Sequence, residues 1–183
     1  MKNQYVHRGR EEAEVFLRNF ISLIDHDDPL FMIAGNYSYE LSGAAKFFSY
    51  MPDRKRYVRF SEFSPNPNIN NLQLALDAFR NSNAKLIIAV GGGSAIDLVK
   101  LVNYFAAINI EPEEYLKNKE TFNISTLPLL AIPTTAGSGS EATHFATLYI
   151  GSKKISVSNR HILPSHVWLN FEFTFSLSRY QTA

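Results

Sequence analysis

Short, unbroken apolar runs alternate with helix-patterned segments along most of this chain, and that alternation restricts the fold more than any other feature. Leu30–Ala34 (LFMIA), Lys85–Val90 and Leu127–Ile132 are each five or six residues long, and Arg56–Phe60, with Tyr57, Val58 and Phe60, is expected to be a further buried or edge strand. Runs of this length without polar alternation are the mark of strands covered on both faces, as in a parallel sheet. Between them the apolar spacing changes to three and four. Ala13, Phe16, Leu17, Phe20, Ile21 and Ile24 share one face and predict a helix over Glu11–Ile24. Ser38–Ser49 is expected to be a second helix, and Ile69, Leu72, Ala75, Leu76 and Phe79 mark a third. Ser94–Ala107 is almost wholly apolar, with Asp97, Lys100 and Asn103 at three-residue steps, which predicts a buried helix with one wet edge. Strand–helix alternation of this kind leads to an α/β fold, a parallel sheet with helices on both faces, because right-handed crossovers leave few alternatives.

The remaining segments have a different character. Asn109–Thr126 is charged and is expected to be a surface excursion, while Thr147–Ile150 and Lys154–Val157 flank Gly151 and Ser152 as the arms of a β-hairpin. Val167–Leu169 predicts one more short strand. The 183 residues suffice for one buried core, so residues 1–183 are taken as a single α/β unit. A formal net charge of +1 argues against nucleic-acid or anionic-membrane partners, and the absence of cysteine excludes disulfides, thiolate metal sites and a cysteine nucleophile. Met1–Glu14 lacks an apolar signal core, and no segment reaches the ~20 apolar residues that span a bilayer. A soluble, cytoplasmic protein is the expectation.

Of nine glycines, Gly91, Gly92, Gly93, Gly137 and Gly139 crowd into two short loops, each following an expected strand. Ligands of parallel sheets bind outside the carboxyl ends of the strands, where helix N-termini converge. Three glycines in succession let backbone approach a pyrophosphate, and the helix that follows offers free N–H groups and a partial positive charge. The second loop, Pro133–Glu141, adds the hydroxyls of Thr134, Thr135, Ser138 and Ser140. The structural alternative for the first loop is a tight turn, with Ser94 and Asp97 forming a capping box. It is neither a Walker loop, which needs Gly-Lys-Ser/Thr, nor the common dinucleotide fingerprint, since Ile96 stands where the third spaced glycine belongs.

These residues carry a resemblance. GGGSAIDLVK at Gly91–Lys100 and PTTAGSGSEAT at Pro133–Thr143 are similar to motifs of the iron-dependent, or group III, alcohol dehydrogenases, whose fold is dehydroquinate-synthase-like. FSPNP at Phe63–Pro67, Lys154 in the hairpin and LPSHVWLNFEFTFSL at Leu163–Leu177 extend the likeness. The resemblance implies a Rossmann-like N-terminal domain, a C-terminal all-helical domain, NAD or NADP in the cleft, and iron or zinc on the helical side. It implies further that Gly92, Gly93, Ser94 and Asp97 hold the pyrophosphate and nicotinamide ribose. Thr134, Thr135 and Ser138 would contact the cofactor from the second loop, with Asn66 nearby and Lys154 at the nicotinamide ribose. Asn36 stands where NAD-preferring members carry an aspartate for the ribose hydroxyls. Asparagine does not repel a 2′-phosphate, and with Ser38 close by an acceptance of NADP, even a preference for it, is expected. The alternative for Asn36 is a helix cap, and for Lys154 a solvated hairpin charge.

The family's metal is held by an aspartate and three histidines of the helical domain, and Ala183 comes just short of the matching aspartate. None of the five histidines, His7, His26, His144, His161 and His166, forms an HxxxH pair, so no metal ligand is assigned. Asn170 and Ser178 depart from the family's usual aspartate and proline. Trp168, Phe171, Phe173 and Phe175 would normally be covered, so any exposed patch among them would mark the contact with a helical partner domain or a homodimer. The leading expectation is the NAD(P)-binding half of an alcohol or aldehyde dehydrogenase, catalytically incomplete alone. The alternative is a non-catalytic nucleotide-binding module or a subunit of a split enzyme. A phosphate-substrate enzyme of the dehydroquinate-synthase type is disfavoured by the second loop.

Overall fold

The computed structural model describes residues 4–49, 57–118, 122 and 124–178. Arg56, the expected start of the second strand, and residues 119–121 and 123 of the expected excursion lie outside them. In chain order the elements are β1 (Tyr5–Arg8), α1 (Ala13–Ile21), β2 (Leu30–Ala34), α2 (Asn36–Leu41), α3 (Ala44–Ser49), β3 (Tyr57–Phe60), α4 (Ile69–Ser82), β4 (Leu86–Gly91) and α5 (Gly93–Ile108). They continue with α6 (Pro112–Asn118), β5 (Leu129–Pro133), β6 (Phe145–Ile150), β7 (Lys153–Ser158) and β8 (His166–Leu169), with short 3-10 turns at Ser140–Ala142, Arg160–Ile162 and Phe171–Thr174.

Six strands form one all-parallel sheet in the order β1-β8-β5-β4-β2-β3, and β6 and β7 pair as a separate antiparallel hairpin. Side-chain alternation along the central strands divides the core in two. Phe31, Ile33, Ile87, Ala89, Leu129 and Ala131 point to the face covered by α4, α5 and the hairpin. Leu30, Met32, Ala34, Leu86, Ile88, Val90, Leu130 and Ile132 point to the face covered by α1, α2 and α3. Both faces are therefore dry, which is why these strands have no polar positions. The Rossmann-like architecture, with helices on both faces, matches the sequence expectation.

Several local expectations are corrected. The N-terminal helix is shorter than Glu11–Ile24: Glu12 is left-handed (φ 56°) and cannot be helical, and after Ile21 the amides of Leu23 and Ile24 bond three residues back in tighter turns. The helix expected over Ser38–Ser49 is two, because Gly43 adopts φ 81° between α2 and α3. Tyr5 and Val6 belong to a strand, β1, docked beside β8. The Asn109–Thr126 segment contains α6. The aromatic patch is half buried: Trp168 and Phe173 are 0% and 1% exposed, whereas Phe171 and Phe175 are 67% and 73% exposed. No helix among the described residues is long and apolar enough to cross a membrane.

The largest correction concerns the polar line of α5. Its edge is not wet. Lys100 and Asn103 are 0% and 2% exposed because the hairpin and the approach to β5 cover them. Asn103 donates to Leu127 O and accepts from Leu127 N–H, both at 3.0 Å. Lys100 Nζ donates to the carbonyls of Thr143 and Phe145, each at 2.8 Å, and to Thr143 Oγ1 at 3.2 Å. These bonds satisfy polar groups that burial would otherwise leave unpaired.

Candidate functional site

The order of the strands sets the place of the site. From β2 the chain crosses to β3 on one side, then returns past β2 to β4 on the other, so the carboxyl ends of β2 and β4 bound a topological switch point. Gly35–Ser38 follows β2 there, and Gly91, the last residue of β4, leads into Gly92–Ser94. Ser38 Oγ lies 3.3 Å from the Cβ position of Gly35 and 3.7 Å from that of Gly91, so the serine sits between the two turns.

The triple glycine is needed for a reason the sequence did not reveal. A Cβ on Gly92 would stand 2.9 Å from Thr135 Oγ1, and one on Gly93 would stand 3.0 Å from Ser138 Cβ and 3.2 Å from Ser140 Oγ. The two loops are thus packed against each other, and the space a side chain would take is filled by the second loop. Gly91 adds a backbone requirement, with φ 153° and a Cβ position 2.8 Å from Ala95 Cβ. Thr134 N–H donates to Gly91 O at 3.0 Å, which pins the second loop to the first where β5 ends.

The capping box, the structural alternative for the first loop, is absent. Gly92 is the N-cap of α5, and no side chain caps it. Ser94 Oγ instead accepts from Asn66 N–H at 3.0 Å, fixing the left-handed Asn66 (φ 58°) of the proline-flanked segment beside the glycine loop. Asp97 Oδ2 accepts from Thr147 N–H at 2.9 Å, while its Oδ1 is buried without a partner. Thr134 is likewise 2% exposed with an unpartnered Oγ1. Tyr149 N–H donates to Pro67 O at 3.0 Å and brings the hairpin to the same rim; Lys154 is exposed on β7 opposite Tyr149.

Asn36 is not a cap either, since Gly35 occupies the N-cap position of α2. Its Oδ1 accepts from the Arg59 guanidinium, a partner on a different element, 23 residues away, that local sequence patterns do not show. Beside the second loop, toward β8, Arg8, Thr135, Ala136, Asn170 and Phe171 line a cleft of about 380 Å³. Burial lowers the Lys100 ammonium from 10.5 to about 8, against the Asp97 and Glu141 carboxylates that favour its charge. Among the described residues no three His, Cys, Asp or Glu side chains converge as a metal group, so these residues do not fit a bound metal ion.

The chain resembles proteins of known activity. It is 31% identical over 126 residues to the long-chain-alcohol dehydrogenase 1 of Geobacillus thermodenitrificans, covering 68% of this chain and 32% of that protein. Its fold superposes on the iron-containing alcohol dehydrogenase of Thermotoga maritima with a TM-score of 0.83 at 25% identity, over 99% of this chain and 50% of that one. The NAD+ complex of the sulfoacetaldehyde reductase of Bifidobacterium kashiwanohense gives 0.85 at 22% identity, over 99% and 48%. The matched segment therefore covers about a third of that curated relative's length, and the chain spans about half of these solved chains. With the profile of the iron-containing alcohol dehydrogenases matching residues 14–170, the chain belongs to the iron-containing alcohol dehydrogenase family.

Proposed function

We propose that this chain binds a nicotinamide adenine dinucleotide across the β2–β4 switch point and serves hydride transfer between the nicotinamide and a small alcohol or carbonyl compound in the cytoplasm. One observation carries the reading: an uncapped helix start, α5, opens from a glycine loop with a second hydroxyl-rich loop packed against it. The residues fit the ligand. The amides at Gly92, Gly93 and Ser94 suit the pyrophosphate, and the unpartnered oxygens of Asp97 and Thr134 are acceptors left over for ribose or carboxamide groups. Thr135 and Ser138 shape the wall, with Asn66 and Lys154 at the rim and Asn36 and Ser38 at the far nucleoside. When bound, the cofactor supplies or takes the hydride; the protein's part is to hold and orient it. The exposed Phe171 and Phe175 suit an apolar contact with a helical domain or a second copy.

A second reading is a nucleotide-binding module without its own turnover, or a subunit of a split enzyme. Titration of the full chain with NADH and NADPH, followed by nicotinamide fluorescence, tests binding. Oxidation of the bound cofactor by a panel of aldehydes with added iron or zinc separates the two readings. No binding of either dinucleotide overturns both.

A further inference from the structure

Arg59 is the one charge in the edge strand YVRF, and it is held rather than left to solvent. Its register partner in β2 is Met32, which directs the side chain to the face carrying α2. There one Nη donates to Asn36 Oδ1, the guanidinium carbon lies 4.8 Å from the centre of the Tyr39 ring, and the other Nη stands 3.9 Å from a Glu40 carboxylate oxygen. The side chain is 27% exposed, so its stem is covered while the head still meets water.

This arrangement selects what can sit beside it. The bond to Asn36 uses one of five guanidinium N–H donors, and Glu40 is beyond hydrogen-bond distance. The Tyr39 ring beneath the guanidinium and the bond to Asn36 hold the head of the side chain at this site, and a positioned fork suits a bidentate anion contact. The same bond orients the Asn36 amide: its oxygen accepts from Arg59, which leaves its NH2 as a donor for another group. A nucleotide whose pyrophosphate lies on α5 extends one nucleoside over the end of β2.

We infer that Arg59, with Asn36 beside it, is the specificity-determining residue for the 2′-phosphate of NADP(H). The inference rests on the dinucleotide reading above and adds which dinucleotide is taken and why. A 2′-phosphate meets the fork of Arg59 and the NH2 of Asn36, both donors. The two ribose hydroxyls of NAD(H) find no carboxylate at Asn36 to accept from them. Glu40 is the local opposing charge, and its exposed position lets solvent screen it.

Dissociation constants for NADPH, NADH and the fragments 2′,5′-ADP and 5′-ADP test this on the full chain. The wild type is expected to bind NADPH about tenfold or more tighter than NADH, and 2′,5′-ADP tighter than 5′-ADP by a similar factor. Arg59→Met keeps the stem over Tyr39 and should bring NADPH to the NADH level while changing NADH by about twofold or less. Arg59→Lys should restore part of the preference, and Asn36→Asp should weaken NADPH by charge repulsion. Equal or tighter binding of NADH by the wild type overturns the inference and leaves the dinucleotide reading standing, as does an Arg59→Met variant that weakens both cofactors alike. Binding of neither overturns the dinucleotide reading and this inference with it.

Discussion

The Lys100 ammonium donates to the Thr143 carbonyl across 2.8 Å, and this contact ties the middle of α5 to the end of the second loop. With the bond to Phe145 O it fixes the point at which loop becomes hairpin. Replacing Lys100 with Met leaves two carbonyls facing an apolar chain. A stability loss of about 1–3 kcal/mol is expected, measured by urea denaturation, with weaker dinucleotide binding as the loop loosens. Unchanged stability would show that the clamp is dispensable.

The same lysine gives stability a pH dependence of known sign. Burial lowers it from 10.5 to about 8, so between these values the unfolded chain keeps a proton that the folded chain has released. Unfolding then takes up a proton, and stability rises with pH across that window; below it the cost of the buried charge is fully present. The difference in urea midpoint between wild type and Lys100→Met should shift in favour of the wild type from pH 8 toward 10. Subtracting the variant removes the other titrating groups, and a flat difference would refute the assignment.

Gly92→Ala tests the packing of the two loops. The residue has φ −77°, which alanine accepts, so the penalty comes only from the 2.9 Å approach to Thr135 Oγ1. A loss of about 1–3 kcal/mol is expected from overpacking. Adding Thr135→Ala removes both the Oγ1 and the Cγ2 that crowd the new methyl and should restore most of it, as a double-mutant cycle would reveal.

Thr134→Val separates folding from binding. The hydroxyl it removes is buried and unpartnered in the free protein, so thermal stability should hold or rise. Dinucleotide affinity should fall several-fold if that hydroxyl pairs with the ligand. A variant that loses stability yet keeps full affinity would assign Thr134 a purely structural role.

Trp168 joins the last strand to the first turn: its Nε1–H donates to Gly9 O at 2.7 Å, and Phe47 and Phe173 meet it edge-on at 4.9 and 5.0 Å. Trp168→Phe loses the bond and part of the packing, and about 1–3 kcal/mol of stability should go with them. Near-ultraviolet circular dichroism during denaturation would follow it.

What the sequence revealed depended on the range of the interactions. Strands β2, β4 and β5 were legible because burial on both faces leaves an unbroken apolar run. Strand β1 was not, since its exposed YVHR has no such signature and its partner lies at the other end of the chain. The polar line Asp97, Lys100 and Asn103 reads locally as a wet face; only the distant hairpin and Leu127 make it a buried seam. The glycine loop marked the site, but the crowding that demands glycine came from Thr135 and Ser138, far along the chain. Arg59 escaped notice because its partners Asn36, Tyr39 and Glu40 belong to another element.

Pairing of β1 with β8 has a consequence for how the chain reaches its fold. Tyr5 and His166 are neighbours in the finished sheet, and Gly9 and Trp168, 159 residues apart, share a hydrogen bond. Strand β1 pairs with β8 across most of the described chain, whereas β2, β3, β4 and β5 pair with strands much nearer in sequence. Closing this edge of the sheet therefore joins segments 159 residues apart and carries a larger loop-closure cost than the pairings of β2, β3, β4 and β5 among themselves.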